Sequence, residues 1–478
     1  MVSGGFMKHL LCELSSTYGD RTLFCVYDGN EVFNISGGRF VKDVLQTAGY
    51  FSKNQITGRH IAVAAPNSYR WVVVFFAVAA SGNIVVPLNQ ELPGDLLQWQ
   101  CHKADISLVC HDNLETADKI GDIPGIPFDA IQANIPLSLE KVYFHKEEET
   151  FLMMFTSGTT GTSKTVILSA RNLVTSVDNT FSTKKQGAAG KILERYILSL
   201  PLFHIGSIRC LLSQLDRGAE VAIGRGAKYI FMDLPKLNPT RVDVVPAIAE
   251  SFAKILRRTP REKWVNYVGH NFKGVIAVGA AMKPSVARYL LEQGIQIDVI
   301  YGMTESAGDG AWCVLDETHI GTIGKPDGNI SFRIEDGEIL LRSDAVMKGY
   351  YKDPEETARV IVDGWLHTGD MGCCDEDGFY YITGRKKNVI ILSNGENVNP
   401  EEIEAAFGEC EAIEECLVYS DGKGICADVF PKDREAAAAV IKAYNESMPM
   451  YRQVYKVNYT AEPLPKTGSG KIKRKENR

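Results

Sequence analysis

Short runs of β-branched and apolar residues alternate with helical stretches through most of this chain, and that alternation restricts its fold more than any other feature. Ile61-Ala62-Val63, Ile84-Val85-Val86 and Ser107-Leu108-Val109 are the first three runs, and the pattern returns at 196–200, 242–245, 275–278 and 297–300. Each later run is followed by Gly or Pro punctuation and another helical stretch. That order predicts layered α/β structure with most strands buried in mixed or parallel sheets. At 478 residues the chain is longer than one ordinary core sustains, so two or more domains are expected.

After about Gly328 the character changes to short strands with tight Asp-Gly turns, at 332–334, 338–342 and 378–382, which predicts a small β-rich unit. Beyond Arg385 a compact α+β pattern follows: a helix from Pro400, strands near 416–419 and 425–429, a helix near 434–444 and a strand near 455–459. The expected organisation is a large N-terminal domain, 1–385, of layered α/β subdomains plus the β-rich subdomain. A small, mobile α+β C-terminal domain, 386–478, follows it.

Composition excludes several classes. A formal net charge of −7 does not provide the basic field that a broad nucleic-acid surface needs. The longest apolar stretch, 71–80, falls short of the roughly 18 residues of a membrane span, so a core helix is expected there. The N-terminus lacks a basic patch, apolar core and cleavage site, and the 11 cysteines contain no Cys-x-x-Cys pair. A cytoplasmic protein with reduced thiols is the expectation.

The richest chemical signal is Phe155-Thr156-Ser157-Gly158-Thr159-Thr160-Gly161-Thr162-Ser163-Lys164, directly after an apolar run. Glycines let backbone N–H groups approach an anion, hydroxyls donate hydrogen bonds and the lysine adds a point charge. Two residues separate Gly161 from Lys164, which excludes the Walker A spacing. A Gly/Thr-rich polar turn is the bland alternative.

This segment resembles the phosphate loop of the adenylate-forming (AMP-binding) superfamily, and further stretches resemble the same family in the same order. They are Tyr301-Gly302-Met303-Thr304-Glu305-Ser306, Gly364-Trp365-Leu366-His367-Thr368-Gly369-Asp370, Gly384-Arg385-Lys386-Lys387-Asn388 with Asn394-Gly395-Glu396, and Pro465-Lys466-Thr467-Gly468-Ser469-Gly470-Lys471. The resemblance implies that Thr156, Ser157, Gly158, Thr159, Thr160, Gly161 and Lys164 hold the phosphates of ATP. It also implies that Thr304 meets the α-phosphate, Glu305 helps hold Mg²⁺, Asp370 takes the ribose hydroxyls, and Arg385 contacts ribose and phosphates. Adenine would stack near Tyr301 along Gly279-Ala280-Ala281. His204, Gly302 and Met303 would border the acid, Lys471 would be the catalytic lysine, Lys387 the hinge, and Gly395 would lie at a pantetheine tunnel. Ser163 and Thr165 depart from the family's usual proline and glycine, which puts the rigidity of the loop in question.

An acyl-CoA synthetase-like ligase is therefore expected, one that converts a carboxylic acid to an acyl-adenylate and passes it to coenzyme A. The extra residue between Gly384 and Gly395 matches long-chain acyl-CoA synthetases and tilts the acid to a medium- or long-chain fatty acid. Adenylation of an aryl acid for the phosphopantetheine of a separate carrier protein is the alternative. A nucleotide-binding regulatory protein without turnover is the alternative of another class. Each motif also has an ordinary structural reading: Thr-Glu as a helix cap, Asp after Gly as a turn, His204 as structural, and the basic tail around Lys471 as solvated charge.

Overall fold

The computed structural model describes residues 5–28, 31–131, 135–156, 163–179, 194–392, 396–466 and 472–474. The predicted α/β layering is present as two large sheets. In the first, the strand order is Gly349–Tyr350, Thr165–Ser169, Thr150–Phe155, Ile84–Pro87, His60–Ala64, Leu108–His111, Gly125–Pro127. Its five later members run parallel and the pair at the other end is antiparallel.

The second sheet orders Lys325–Pro326, Gly310–Val314, Gln296–Gly302, Gly274–Ala277, Arg241–Val244, Arg195–Leu198, Glu220–Ile223, Thr22–Asp28 and Glu31–Ser36. Its centre is parallel, as buried β-branched runs require. The apolar stretch at 71–80 is the interior helix Tyr69–Ala80, started by the Ser68 hydroxyl accepting the Trp71 N–H at 3.0 Å. Every residue from Trp71 to Ala80 is buried, in a core that also takes Ile61, Val63 and Leu152 from one sheet and Phe24, Tyr196 and Val221 from the other. A helix that is apolar all round has to lie inside.

The β-rich unit is a five-stranded sheet of Ser331–Glu335, Glu338–Arg342, Trp365–Cys374, Ile361–Val362 and Tyr380–Arg385. The last strand begins two residues later than its Gly-Phe-Tyr run predicts, because the turn at 375–378 takes the first positions. Residues 400–459 follow the expected order of helix, two strands, helix and strand: Pro400–Gly408, Ile413–Ser420, Ile425–Pro431, Arg434–Ser447 and Val454–Tyr459. They pack a separate core of Ile403, Phe407, Val418, Ala427, Ile441 and Val454.

Candidate active site

Three segments predicted to meet do meet, and Asp370 is their centre. It sits in the middle of Trp365–Cys374, directly opposite Arg385 across an antiparallel ladder. The register puts the guanidinium within reach: Arg385 Nε lies 2.8 Å from Asp370 Oδ1. From another sheet the Tyr301 hydroxyl donates to Asp370 Oδ2 at 2.7 Å. Burial first, then the charge of Asp370, raises the Tyr301 pKa, so the phenol remains a donor. Asp370 is only 3% exposed, and its N–H donates to the Thr368 hydroxyl at 3.0 Å, which itself donates to the Ile339 carbonyl at 2.6 Å.

The support beneath this strand was not anticipated. Glu338, also buried, accepts the Gly369 N–H at 2.9 Å and the Lys386 ammonium at 2.7 Å, and meets His367 Nδ1 at 3.1 Å. Burial pushes its carboxyl up, yet Lys386, His367 and the Gly369 N–H outweigh burial and leave the pKa lowered. In sequence Glu338 reads only as the first residue of the predicted strand 338–342, and nothing there marked it as a buried support.

Thr304 and Glu305 lie on a single 3₁₀ turn, Thr304–Ser306, between the antiparallel strands Gln296–Gly302 and Gly310–Val314. The chain doubles back through Ala307 and Gly308, both with positive φ, and a Cβ on Gly302 would fall 2.2 Å from the Gly308 carbonyl oxygen. Glu305 accepts the Tyr350 hydroxyl at 2.9 Å. Burial is the main cause of its raised pKa, only partly offset by Tyr350, Lys164 and Arg385. A carboxylate whose charge is costly in this setting fits a hard cation. Among the described residues there is no cluster of three or more His, Cys, Asp or Glu that would hold a metal.

Behind the turn lies a buried ion pair that sequence reasoning missed. Arg209 Nη2 lies 2.6 Å from Asp309 Oδ1, and Asn179 donates to Asp309 Oδ2 at 2.7 Å. Arg209 also donates to the Gly308 carbonyl at 3.0 Å, while Ser176 donates to the Ala307 carbonyl at 2.8 Å. Burial raises the Asp309 carboxyl to about 6 even with Arg209 beside it. The available signal was an arginine within Ile208-Arg209-Cys210-Leu211, an apolar stretch of helix that needs a buried partner for it. That helix, Ile205–Asp216, starts at His204, whose ring lies 4.6 Å from that of Phe203.

His204, Gly279-Ala280-Ala281 and Tyr301-Gly302-Met303 all follow or end strands of the second sheet on its C-terminal edge. Ligands of open α/β sheets bind along that edge. Gly279, at φ 79°, is exposed with Ala280 and Ala281, and an added Cβ there would meet only Val245, at 3.9 Å.

Thr156 and Lys164 close the stem of the predicted phosphate loop. The Thr156 N–H donates to the Lys164 carbonyl at 2.9 Å and the Lys164 N–H to the Thr156 hydroxyl at 3.2 Å. Ser163, where the family resemblance expected proline, donates its hydroxyl to the Thr156 carbonyl at 2.5 Å, so hydrogen bonding supplies a constraint at this stem. Lys387 lies in the short 3₁₀ turn Lys386–Asn388, between the five-stranded sheet and the C-terminal unit. Ser157, Gly158, Thr159, Thr160, Gly161, Gly395 and Lys471 lie outside the described residues.

Comparison with known proteins bears on the family and the fold. The model of the AMP-binding enzyme family matches residues 14–351, and that of the AMP-binding enzyme C-terminal domain matches residues 402–471. A 2-succinylbenzoate–CoA ligase of Bacillus cytotoxicus is 28% identical over 454 residues, with 88% of each chain covered. A feruloyl-CoA synthase of an Amycolatopsis species is 29% identical over 458 residues, again with 88% of each covered. Among solved structures, the O-succinylbenzoate coenzyme A synthetase of Bacillus subtilis in complex with AMP superposes with a TM-score of 0.84 at 21% identity, covering 97% of both chains. A fatty acyl CoA synthetase of Mycobacterium tuberculosis superposes at 0.76, also at 21% identity, covering 98% of this chain and 96% of that one. With the fold shared end to end, the motif segments gathered around Asp370 and Glu305, and a family model spanning more than half of the sequence, this chain belongs to the AMP-binding enzyme family.

Proposed function

We propose that this protein is an AMP-forming acid–CoA ligase, acting on ATP, a small carboxylic acid and coenzyme A. The observation that carries the reading is the convergence of Tyr301, Asp370 and Arg385, from three separate strands, beside Glu305. In this reading Asp370 accepts the ribose hydroxyls of ATP, with Arg385 reaching ribose and phosphate, and adenine lies against Tyr301 and Gly279-Ala280-Ala281. Thr156, Lys164 and the 157–161 segment hold the phosphate chain, and Thr304 meets the α-phosphate. Glu305 would hold Mg²⁺, which when bound draws negative charge off the phosphate oxygens.

The acid, bordered by His204, Gly302 and Met303, attacks with its carboxylate oxygen. A bond forms to the α-phosphorus, the bond to pyrophosphate breaks, and Lys471 meets the charge that builds. The thiol of coenzyme A then attacks the acyl carbon, AMP leaves, and the thiol proton passes to solvent. We place the domain boundary at 385/386, with Lys387 as the pivot between the two half-reactions and Gly395 lining the pantetheine path.

Relatives named for succinylbenzoate and ferulate put aromatic acids ahead of the fatty acids that the 384–395 spacing favoured. The likeness to a fatty acyl CoA synthetase keeps fatty acids as the second reading. No described helix is long and apolar enough to cross a membrane, and all the cysteines are unpaired, which supports a cytoplasmic site of action. The test is pyrophosphate release across aryl, medium-chain, long-chain and amino acids, with and without coenzyme A. Release with an acid and thioester formation with coenzyme A are expected. Silence across the whole panel would turn the reading to an ATP-binding protein without turnover.

A further inference from the structure

Lys164 is held by groups that arrive from almost two hundred residues further along the chain. The short strand Gly349–Tyr350 pairs with Thr165–Ser169, placing Tyr350 opposite Val166, two residues from Lys164. The Lys164 ammonium lies 4.8 Å from the centre of the Tyr350 ring, the geometry of a cation on an aromatic face. It also pairs with the Glu356 carboxylate. Glu356 is carried on the helix Pro354–Val360, which Asp353 caps by accepting the Glu356 N–H at 3.1 Å. That helix is tied to the strand by the Tyr350 N–H donating to the Thr357 hydroxyl at 2.8 Å.

The charge balance separates two roles for Glu356. A carboxylate that merely stood in for phosphate would neutralise the lysine. Here Arg359 already occupies both Glu356 oxygens in a fork, at 2.6 and 2.5 Å, so two cations share one carboxylate and positive charge is left over. Arg359 first, and Lys164 after it, hold the Glu356 carboxyl down to about 2, so it stays ionised throughout the physiological range. The same Tyr350 that faces Lys164 gives its hydroxyl to Glu305 at 2.9 Å.

We infer that Glu356 and Tyr350 are positioning residues that seat Lys164 for the phosphate chain of ATP and tie it to Glu305, so that phosphate and cation sites are set together. The inference rests on the proposed function only in taking Lys164 as a phosphate contact. Lysine is a flexible point charge with much rotamer freedom, and two fixed partners remove that freedom before the nucleotide arrives.

The test is calorimetric binding of ATP, with and without magnesium, to the full-length chain and its variants. Glu356→Gln should weaken magnesium–ATP by about tenfold, and should add nothing in a Lys164→Ala background, because Glu356 acts through that lysine. Glu356→Asp, which keeps the charge but retracts it, should give a smaller loss and covers the case in which the glutamine variant folds poorly. Tyr350→Phe should reduce the magnesium-dependent part of binding and leave magnesium-free binding within about twofold. Tighter ATP binding by Glu356→Gln, or a full further loss in the Lys164→Ala background, would overturn the inference. ATP binding by the wild type without turnover on any acid would remove the ligase reading and leave this one standing.

Discussion

Asp370 shows how one side chain organises the site. It is buried, both of its oxygens are engaged, and its partners come from two different sheets. Replacing it with asparagine keeps the shape and removes the charge that Arg385 and Tyr301 address. Hydrogen bonds to charged groups contribute about 1.5–3 kcal/mol, so Asp370→Asn should weaken ATP binding by roughly 10- to 100-fold in calorimetry. Glu338 makes a different prediction. Its folded pKa lies below the ordinary 4.5, so its stabilisation is present above that value and is lost as pH falls through the folded value. Glu338→Gln should therefore lower the free energy of urea unfolding at pH 7 by about 1–3 kcal/mol, with the difference from wild type closing as pH falls through the folded value. An equal deficit at pH 7 and pH 3 would assign the effect to packing alone. Asp370 was legible from its motif, whereas Glu338 was not, because its partners Gly369, His367 and Lys386 lie 29 to 48 positions away.

Among elements, the turn at 302–309 is tightly constrained. Gly302 has no room for a side chain because the returning strand brings the Gly308 carbonyl into that space. Gly302→Ala should cost about 1–3 kcal/mol by overpacking and should displace Glu305, read as a lowered Tm together with weaker magnesium-dependent ATP binding. A second element, the helix Ile205–Asp216, is tied to the same turn by Arg209. Arg209→Met leaves Asp309 buried without its cation and should destabilise the fold by about 3–5 kcal/mol. Recovery in Arg209→Met/Asp309→Asn relative to the single variant would show that the lost pairing is the cause. The strands His60–Ala64, Ile84–Pro87, Leu108–His111, Arg195–Leu198, Arg241–Val244, Gly274–Ala277 and Gln296–Gly302 were readable from β-branched and apolar runs. Trp365–Cys374 was not, since its Gly, His, Thr and Asp residues break the apolar alternation; it is a strand because Glu338–Arg342 and Tyr380–Arg385 pair with it on either side. The hairpin Thr22–Asp28 and Glu31–Ser36 was missed for a related reason, as it finds its place only against Glu220–Ile223.

For the whole molecule, the proposed mechanism needs one lid to serve two reactions, and the turn Lys386–Asn388 is where the C-terminal unit leaves the five-stranded sheet. Lys387→Pro fixes φ at that point. Thioester formation from preformed acyl-adenylate should fall more than adenylate formation, measured as separate half-reactions; equal losses would remove Lys387 as the pivot. The sequence by itself determined the α/β class, the change of character near 328, the C-terminal α+β order and the identity of the motif residues. Each of these depends on local periodicity, turn chemistry or residue type. Only the tertiary structure decided that Tyr301 meets Asp370, that Arg209 closes on Asp309, and that Tyr350 and Glu356 close around Lys164. Such contacts join residues far apart in the chain, and their partners are chosen by sheet order and register, which no local pattern encodes.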